Sequence, residues 1–224
     1  MRRVAAELGL GTMSLYHYVR SKDELLDLMA DGIMAGQLVD DAELRKGWRA
    51  GLTAIATATR RNLERHPWMG AALNPRHASV PGPNAMRHID QSIAAVVDTG
   101  LDPQAQMDLI ATVDDYVIGY VVRSQRFAEE EAQAPSEKWV ARLFEHLRGR
   151  IQSGGYPHLQ RALETARAAG VADEDFARMA TDEARFERGL ELLLDGIEVR
   201  LQGRAEGAKP RRGRSRRASS AARP

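Results

Sequence analysis

The side chains with the clearest chemical character lie close together near the N-terminus. In the segment GLGTMSLYHYVRSKDELL, residues 9–26, two tyrosines and a histidine precede Arg20 and Lys22, and Arg2 and Arg3 lie just upstream. Arginine and lysine neutralise phosphates, and the polar tips of tyrosine and histidine can reach base edges in a major groove. This combination favours a surface that contacts nucleic acid.

Two short helices are needed to position these side chains. One apolar stripe ends at Gly9, and a second short helix from Met13 to Val19 follows a tight turn. Leu15 and Val19 should point inward, which makes the pair a helix-turn-helix. A plain helical hairpin, whose tyrosines and histidine cap a small core, is the alternative. The side chains left outside for contact are Thr12, Met13, Ser14, Tyr16, His17 and Tyr18.

An enzyme is a second function class to weigh. Asp114 and Asp115 lie inside an apolar helix, and His66, His88 and His146 could in principle act as bases or metal ligands. No HExxH pattern, glycine-rich phosphate loop or nucleophile motif accompanies them. The chain has no cysteine, which excludes disulfides and thiol catalysis. We therefore expect no catalytic residues, no metal and no cofactor.

Composition predicts an all-α protein. The 224 residues are 43% apolar but only 5% aromatic, and no segment alternates apolar and polar residues as a half-buried strand does. That length permits one good-sized core, or one core with a small additional unit. The apolar runs are too short to span a bilayer and the start has no secretory h-region, so we expect a cytoplasmic protein without membrane contact.

Caps and helical spacing mark the individual helices. The sequence Ser21-Lys22-Asp23-Glu24 is a capping box, and Asp102-Pro103 caps and opens another helix. From Met107 to Val122 apolar residues cover most of the helix circumference, which predicts burial on more than one side and hence a partner chain. The other predicted helices are Ser21–Gly36, Ala42–Arg65, Pro83–Gly100, Ser136–Ile151, Pro157–Ala169 and Asp182–Gln202.

The C-terminal segment 203–224 differs from the rest of the chain. It is rich in arginine, serine, glycine, alanine and proline and has no apolar periodicity, so we expect it to be disordered. It holds many of the basic residues, which leaves the preceding chain net acidic although the whole chain is +1. Two interpretations stay open: a solvated terminus, or an arm that adds salt-sensitive phosphate contacts.

The string RRVAAELGLGTMSLYHYVRSKDELLDLM resembles the DNA-binding head of the tetracycline-repressor (TetR) family. The segments RHPW, PGPNAMRHID, GLDPQAQMDLIATVDDYVIGYV and FERGLELLLDGIEVRL are similar to the C-terminal ligand-binding domain of that family. The resemblance implies a head at 1–39, a ligand-binding and dimerisation domain at 40–202, and the tail at 203–224. It also implies a repressor that binds a palindromic operator as a homodimer until a small organic inducer releases it.

The resemblance further implies roles for single residues. Thr12, Met13, Tyr16 and Tyr18 would meet bases or adjacent backbone, and Arg2, Tyr16 and Lys22 would meet phosphates. Lys22 also lies in the first turn of its helix, where backbone N–H groups point at an incoming phosphate. The helices Met107–Arg126 and Asp182–Gln202 would form a four-helix bundle between two chains. Its predicted interface residues are Val117, Val121, Leu190, Leu194 and Ile197.

The inducer site is the least defined expectation. In the tetracycline branch a histidine binds the magnesium of the drug, and by alignment Asp115 stands there, whereas His66 keeps another drug-contacting position. We therefore expect an apolar or cationic organic inducer rather than tetracycline. The predicted pocket residues are apolar with a few polar tips. They are His66, Trp68, Met69, Met86, Ile89, Asp115, Tyr116, Trp139 and Phe144.

One family element is missing from the sequence. A first helix packs behind the helix-turn-helix in the family, but here the chain starts at Met1, inside the second helix. We expect Val4, Ala5, Leu8, Leu15, Leu25 and Met29 to face water, which would leave the head loose, and we expect the natural protein to begin upstream. A helical small-molecule-binding module that does not bind DNA, because its head is incomplete, is therefore the alternative function.

Overall fold

A computed structural model of the chain describes residues 1–69, 80–133, 145–172 and 184–207. Within these ranges the fold is all-α, as predicted, and contains no strand. Short 3₁₀ segments follow α3 and α6, and residues 145–150 are helical and continue into a π-helical turn. The helices are α1 (Arg2–Glu7), α2 (Thr12–Tyr18), α3 (Lys22–Met34), α4 (Asp41–Leu44), α5 (Trp48–Arg65), α6 (Pro83–Val96), α7 (Pro103–Gln133), α8 (Pro157–Ala168) and α9 (Ala184–Gly207).

The head, residues 1–39, contains the predicted helix-turn-helix and its capped third helix. Gly9 ends α1 with a left-handed φ of 67°, a conformation that glycine adopts without strain. At the start of α3 the Ser21 hydroxyl accepts a hydrogen bond from the Glu24 amide at 3.0 Å, and the Glu24 carboxylate accepts one from the Arg20 amide. The capping box therefore joins the end of α2 to the beginning of α3.

The head has a small core of its own, which corrects one expectation. Ala5 and Leu15 were expected to face water, but they are 1% and 5% exposed because they pack on each other and on Val19. Leu25 is partly buried against the same cluster. The expectation of solvent exposure holds for Val4, Leu8 and Met29, which are 39%, 60% and 44% exposed.

The body, predicted as residues 40–202, is organised around α5. Its last helix continues to Gly207, so the first residues of the segment that was expected to be disordered are helical. Helix α5 packs against α6 and α7, and α9 packs against α7. Its buried face includes Leu52, Ile55 and Leu63, which join Val96 and Phe186 in one apolar core. Burial of apolar surface of this kind is the main stabilising contribution in a helical domain.

The predicted helix Ala42–Arg65 is divided in the structure. Asp40 caps the single turn of α4 through its carboxylate, which accepts from the Ala42 amide at 2.7 Å. The chain then turns at Gly47, whose φ is 102°, before α5 begins at Trp48. Apolar spacing continues across this break, so periodicity alone did not reveal it. The positive φ explains why a glycine stands at the turn.

Two side-chain amides of the body form hydrogen bonds with the backbone where the head ends. The Asn62 side chain on α5 donates to the Ile33 carbonyl at 2.9 Å, and Gly36 packs against that same side chain. On α6 the Gln91 side chain donates to the Val39 carbonyl at 2.8 Å and accepts from the Val39 amide at 3.1 Å. These hydrogen bonds hold the segment that connects the head to the body, and Gln91 pairs with both backbone polar groups of Val39.

Candidate functional site

The outward face of α2 presents the side chains predicted to contact nucleic acid. Met13 and Tyr18 are 76% and 78% exposed, whereas Leu15 and Val19 are 5% and 4% exposed. A seven-residue helix is too short to be stable alone. Its two buried side chains hold it on α1 and α3. The other predicted contact residues are exposed or, for Thr12, half-buried: Arg2, Thr12, Ser14, Tyr16, His17 and Lys22.

Lys22 is positioned by the capping box. It is the first residue of α3 and is exposed, and Ser21 before it fixes the direction in which the helix starts. The first-turn amides of α3 and the Lys22 ammonium thus lie at the same end of the helix. Both attract anions, so this end of α3 can hold a phosphate beside the α2 surface.

The predicted pocket residues do not line one common cavity among the described residues. Met86 and Ile89 are exposed, because the opposite face of α6, which includes His88 and Ser92, is the one that packs on the core, and Asp115 on α7 is also exposed. Met69 is a core residue at 2% exposure. His66 is half-buried, Trp68 is 36% exposed, and Trp139 and Phe144 lie outside the described residues.

Tyr116 from the same set has a structural role. Its hydroxyl donates to the Phe186 carbonyl at 2.9 Å, and its ring lies 5.6 Å from the ring of Phe186. Burial raises the pKa of the Tyr116 hydroxyl above its usual value. Tyr116 therefore links α7 to the start of α9 rather than lining an open site.

Three polar groups that the sequence did not assign to a site lie inside the helical body. The Nδ1 atom of His88 and the hydroxyl oxygen of Thr59 are buried and have no hydrogen-bond partner among the described residues. Burial lowers the pKa of His88, so the imidazole is neutral at neutral pH. Burial, and secondarily the charge of Asp115, raise the pKa of Asp114 to about 6. Buried polar atoms without a partner are unusual and call for an explanation.

Helix register places these three groups at one level. A Cβ added to Gly51 would be 3.0 Å from the Ala95 Cβ, so α5 and α6 approach closely there. Thr59 lies about 12 Å along α5 from that contact, and His88 lies about 11 Å along α6 from it. The two helices run antiparallel, since Gly51 near the start of α5 lies against Ala95 near the end of α6, whereas Asn62 near the end of α5 and Asn84 at the start of α6 both contact the last turn of α3.

Asp114 belongs to the same level. The Gln106 side chain on α7 donates to the Val97 carbonyl at 3.5 Å, beside the turn that joins α6 to α7. Asp114 and His88 each lie about 12 to 14 Å from that turn along their helices. Thr59, His88 and Asp114 therefore lie at a similar height along their three helices, and we call them the polar layer. The sequence signal was a histidine on the same helical face as Gln91 and Ser92.

The predicted dimer residues require a correction. Val117, Val121, Leu190 and Leu194 are 0%, 2%, 3% and 1% exposed in the single chain. They pack in the core between α7, α9 and α5, and a side chain without exposed surface cannot contact a partner. Ile197 alone of the set is half-buried and lines a surface groove.

Other apolar side chains on α7 and α9 do reach the surface. Leu192 and Val199 on α9 are 74% and 70% exposed, and Ile118 and Val122 on α7 are 37% and 43% exposed. An apolar groove with a volume of about 330 Å³ runs between the two helices, with Asp108 and Arg200 among its polar residues. This outer face explains the all-round apolar pattern of α7.

A sequence comparison decides the family. The family model for the tetracyclin repressor-like C-terminal domain matches residues 42–201. The chain belongs to the tetracycline-repressor family. This TetR-family chain is 36% identical over 214 residues to the HTH-type transcriptional repressor DrrR1 of Streptomyces coeruleorubidus, covering 93% of this chain and 73% of that protein. An HTH-type transcriptional regulator of Saccharopolyspora erythraea is 30% identical over 197 residues, which cover 88% and 75% of the two chains.

Solved structures of similar proteins share the fold of this TetR-family chain. A possible TetR family transcriptional regulator from Streptomyces coelicolor aligns with a TM-score of 0.58 at 24% identity, covering 88% of each chain. The TetR family protein ActR from Streptomyces coelicolor, solved in complex with actinorhodin, aligns with a TM-score of 0.59 at 21% identity, covering 90% of this chain and 87% of that one. The two sequence relatives are named as regulators of transcription.

Two further features concern metal binding and membranes. No cluster of three or more histidine, aspartate or glutamate side chains among the described residues is arranged to hold a metal ion. In the same ranges no helix is both long enough and apolar enough to cross a membrane.

Proposed function

We propose that this TetR-family chain is a ligand-responsive transcriptional repressor that binds a palindromic operator as a homodimer. The observation that carries the proposal is α2, which two buried side chains, Leu15 and Val19, hold in place while Met13 and Tyr18 project into solvent. An exposed recognition helix on a supported helix-turn-helix is the arrangement that enters a major groove.

The residues of the head divide into two roles. Thr12, Met13, Tyr16 and Tyr18, with Ser14 and His17 beside them, reach the edges of bases or the adjacent backbone. Arg2 and Lys22 contact phosphates, which position the head without reading sequence. The alternative, a helical module that does not bind DNA, draws on the exposed apolar side chains of Val4, Leu8 and Met29.

The outer face of α7 and α9 serves as the dimer interface. Leu192, Val199, Ile118 and Val122 give each chain an exposed apolar strip on two adjacent helices. A two-fold axis pairs a surface with the same surface of the partner chain, so both copies of each exposed residue become buried in the dimer. Two heads related by this axis read two half-sites about 34 to 36 Å apart or somewhat more.

The polar layer recognises the inducer. Its three members come from α5, α6 and α7, so a ligand there would contact all three central helices of the body. The neutral His88 can accept or donate one hydrogen bond, and Asp114 with a pKa of about 6 is ionised at neutral pH. A half-buried carboxylate favours a cation, and the core residues of these helices are apolar. We infer an apolar or cationic organic inducer.

Selection from a pool of random duplexes tests the DNA-binding part. Purified protein should enrich an inverted repeat, and the enriched duplex should bind far more tightly than a scrambled duplex of equal length and salt. If no sequence is enriched while the protein remains folded and binds a small molecule, the module without DNA binding is the correct alternative.

Calorimetry tests the inducer class. A panel of planar aromatic compounds, cationic and neutral, should include binders that release the selected duplex, and His88→Leu should weaken them at least about tenfold, which corresponds to about 1.4 kcal/mol. Exposed His158→Leu is the matched control. Binding of tetracycline with magnesium alone would contradict the proposed ligand class.

A further inference from the structure

A carboxylate of the head caps a helix of the body. Asp31 lies in the last turn of α3, and its Oδ1 atom accepts hydrogen bonds from the amides of Asn84 at 3.1 Å and Ala85 at 3.0 Å. Its Oδ2 atom and its backbone carbonyl each accept a hydrogen bond from the Asn84 side chain at 3.1 Å. These contacts, the Asp31 cap, join α3 to the first turn of α6.

The sequence at the start of α6 is adapted to a cap from another helix. The N-cap residue is Gly82, which has no side chain to accept a hydrogen bond, and Pro83 follows it without an amide proton. The first free amides of the helix therefore belong to Asn84 and Ala85, and Asp31 accepts from both. A negative charge also interacts favourably with the positive end of the helix dipole.

Gly82 leaves the space that the carboxylate occupies. A Cβ added at Gly82 would overlap the Cγ, Oδ1 and Cβ atoms of Asp31. The φ of Gly82 is −73°, a value that any residue can adopt, so the backbone does not require glycine here. Close approach of the Asp31 side chain is the reason that a glycine fits this position.

The other hydrogen bonds between head and body involve backbone groups. Asn62 and Gln91 bind backbone groups of Ile33 and Val39, where the polypeptide passes from one unit to the other. The Asp31 cap is instead made by a side chain on the helix that carries Lys22. Among the hydrogen bonds of the described residues, it is the one that joins a side chain of α3 to α6.

We propose that Asp31 is a positioning residue that sets the orientation of the head relative to α6. The proposal rests on the proposed function, because it makes the cap the contact through which a displacement of α6 reaches the DNA-reading helix. Helix α6 carries His88 of the polar layer, so a ligand that shifts this helix also shifts the group to which Asp31 is bonded. Removal of the cap leaves the head folded but free to take more orientations.

Distance measurement between spin labels tests the cap without DNA or ligand. The chain has no native cysteine, so Asp23→Cys on α3 and Asp98→Cys after α6 give two unique labels on exposed sites. Labelled chains are diluted with unlabelled chains, so that distances within one chain dominate. Asp31→Ala and Gly82→Ala should each broaden the distance distribution at least about twofold, since both remove the same contact from opposite sides.

Asp27→Ala is the matched control, because Asp27 lies one turn earlier on α3 and is exposed. It should leave the distribution narrow. A merely structural cap would lower the melting temperature in Asp31→Ala without broadening the distribution, and that result would overturn the proposal. Unbroadened distances in Gly82→Ala would overturn it as well, provided that faster amide exchange of Asn84 and Ala85 shows that Asp31 no longer caps them.

The selected duplex supplies a second readout. Asp31→Ala should lower affinity for that duplex about tenfold, because only a fraction of heads holds the binding orientation, while binding to scrambled DNA stays within about twofold. Failure of the wild type to bind any selected duplex would contradict the proposed function and leave the distance test of the cap intact. An equal decrease in affinity for the selected duplex and for scrambled DNA would contradict the positioning role of Asp31.

Discussion

The guanidinium of Arg60 lies over the ring of Phe186, with its central carbon 4.6 Å from the ring centroid. Arg60 is 6% exposed although it is charged. Its Nε and one terminal nitrogen each lie 3.5 Å from a carboxylate, of Glu64 and Glu187 respectively, and the Tyr120 ring meets Phe186 edge-on at 5.2 Å. The pair therefore joins α5 to α9 inside the core that carries the polar layer.

Replacing Arg60 by alanine should lower the free energy of unfolding by about 2 to 4 kcal/mol. The change removes a desolvated cation–π contact and leaves a cavity beside Phe186. Urea unfolding followed by circular dichroism measures the effect. Arg61→Ala, an exposed neighbour on the same helix, should change the stability by less than about 0.5 kcal/mol. Equal effects of the two substitutions would show that the Arg60–Phe186 contact contributes nothing.

Asp114 predicts a pH dependence of stability. Its folded pKa of about 6 lies above the usual value of 3.8, so the folded state holds the proton more tightly than the unfolded state. The contribution of Asp114 to the free energy of unfolding should fall as pH rises from about 4 through about 6, and should stay constant above that. This decrease should be about 2 kcal/mol, which is less than the full pKa shift corresponds to, because solvent screens a half-buried group. In Asp114→Asn this pH-dependent decrease in the free energy of unfolding should be absent.

The difference between Asp114→Asn and the wild type isolates this contribution. Urea titrations at several pH values from about 4 to about 8 should give curves that diverge as pH rises, with the variant the more stable at the upper end. Glu129→Gln, an exposed acid on the same helix, should follow the wild type. Parallel curves for Asp114→Asn would contradict the raised pKa.

The dimer prediction uses Leu192 on α9, which is 74% exposed in the single chain. Leu192→Glu should weaken the dimer at least about a hundredfold, because burial of each of the two leucine copies contributes about 1.5 to 3 kcal/mol. Analytical ultracentrifugation measures the dissociation constant. Leu28→Glu, an exposed leucine on the head, should leave it unchanged. If Leu192→Glu stays dimeric, the interface lies elsewhere.

Lys22 predicts a change in salt dependence. Lys22→Ala should weaken binding to all duplexes alike and should lower the slope of log affinity against log salt by about 1.8 for the dimer, because one phosphate per head is no longer neutralised. Lys46→Ala, an exposed lysine of the body, is the control. A slope that stays at the wild-type value would remove Lys22 from the phosphate-binding residues.

The local structure of the head could be predicted from the sequence because its signals are local. The capping box at Ser21 and the inward position of Val19 depend on neighbours within one or two turns, and both are confirmed. The break at Gly47 was missed, since apolar spacing continues across it. Val117 and Leu194 were assigned to the dimer interface because the family resemblance implies that their helices form the bundle between two chains. Periodicity shows that a side chain is buried but not against which chain.

The candidate site depended more on tertiary pairing. The polar layer joins three helices, and the Asp31 cap joins residues 53 positions apart, so neither leaves a pattern in a short stretch of sequence. A histidine on an apolar face was visible at position 88, but its missing hydrogen-bond partner is a property of the packed helices. Local propensity cannot report such long-range contacts.

Base-specific reading by α2 underlies the proposed function, and the operator sequences that α2 variants select provide its sharpest test. Duplex selection is repeated with Thr12→Ala and Tyr18→Ala, with the body variant Thr53→Ala, exposed on α5, as the control. We expect the same inverted repeat for the control and a changed base preference at matching positions of both half-sites for Thr12→Ala and Tyr18→Ala. If both α2 variants select the unchanged repeat, α2 does not read the bases.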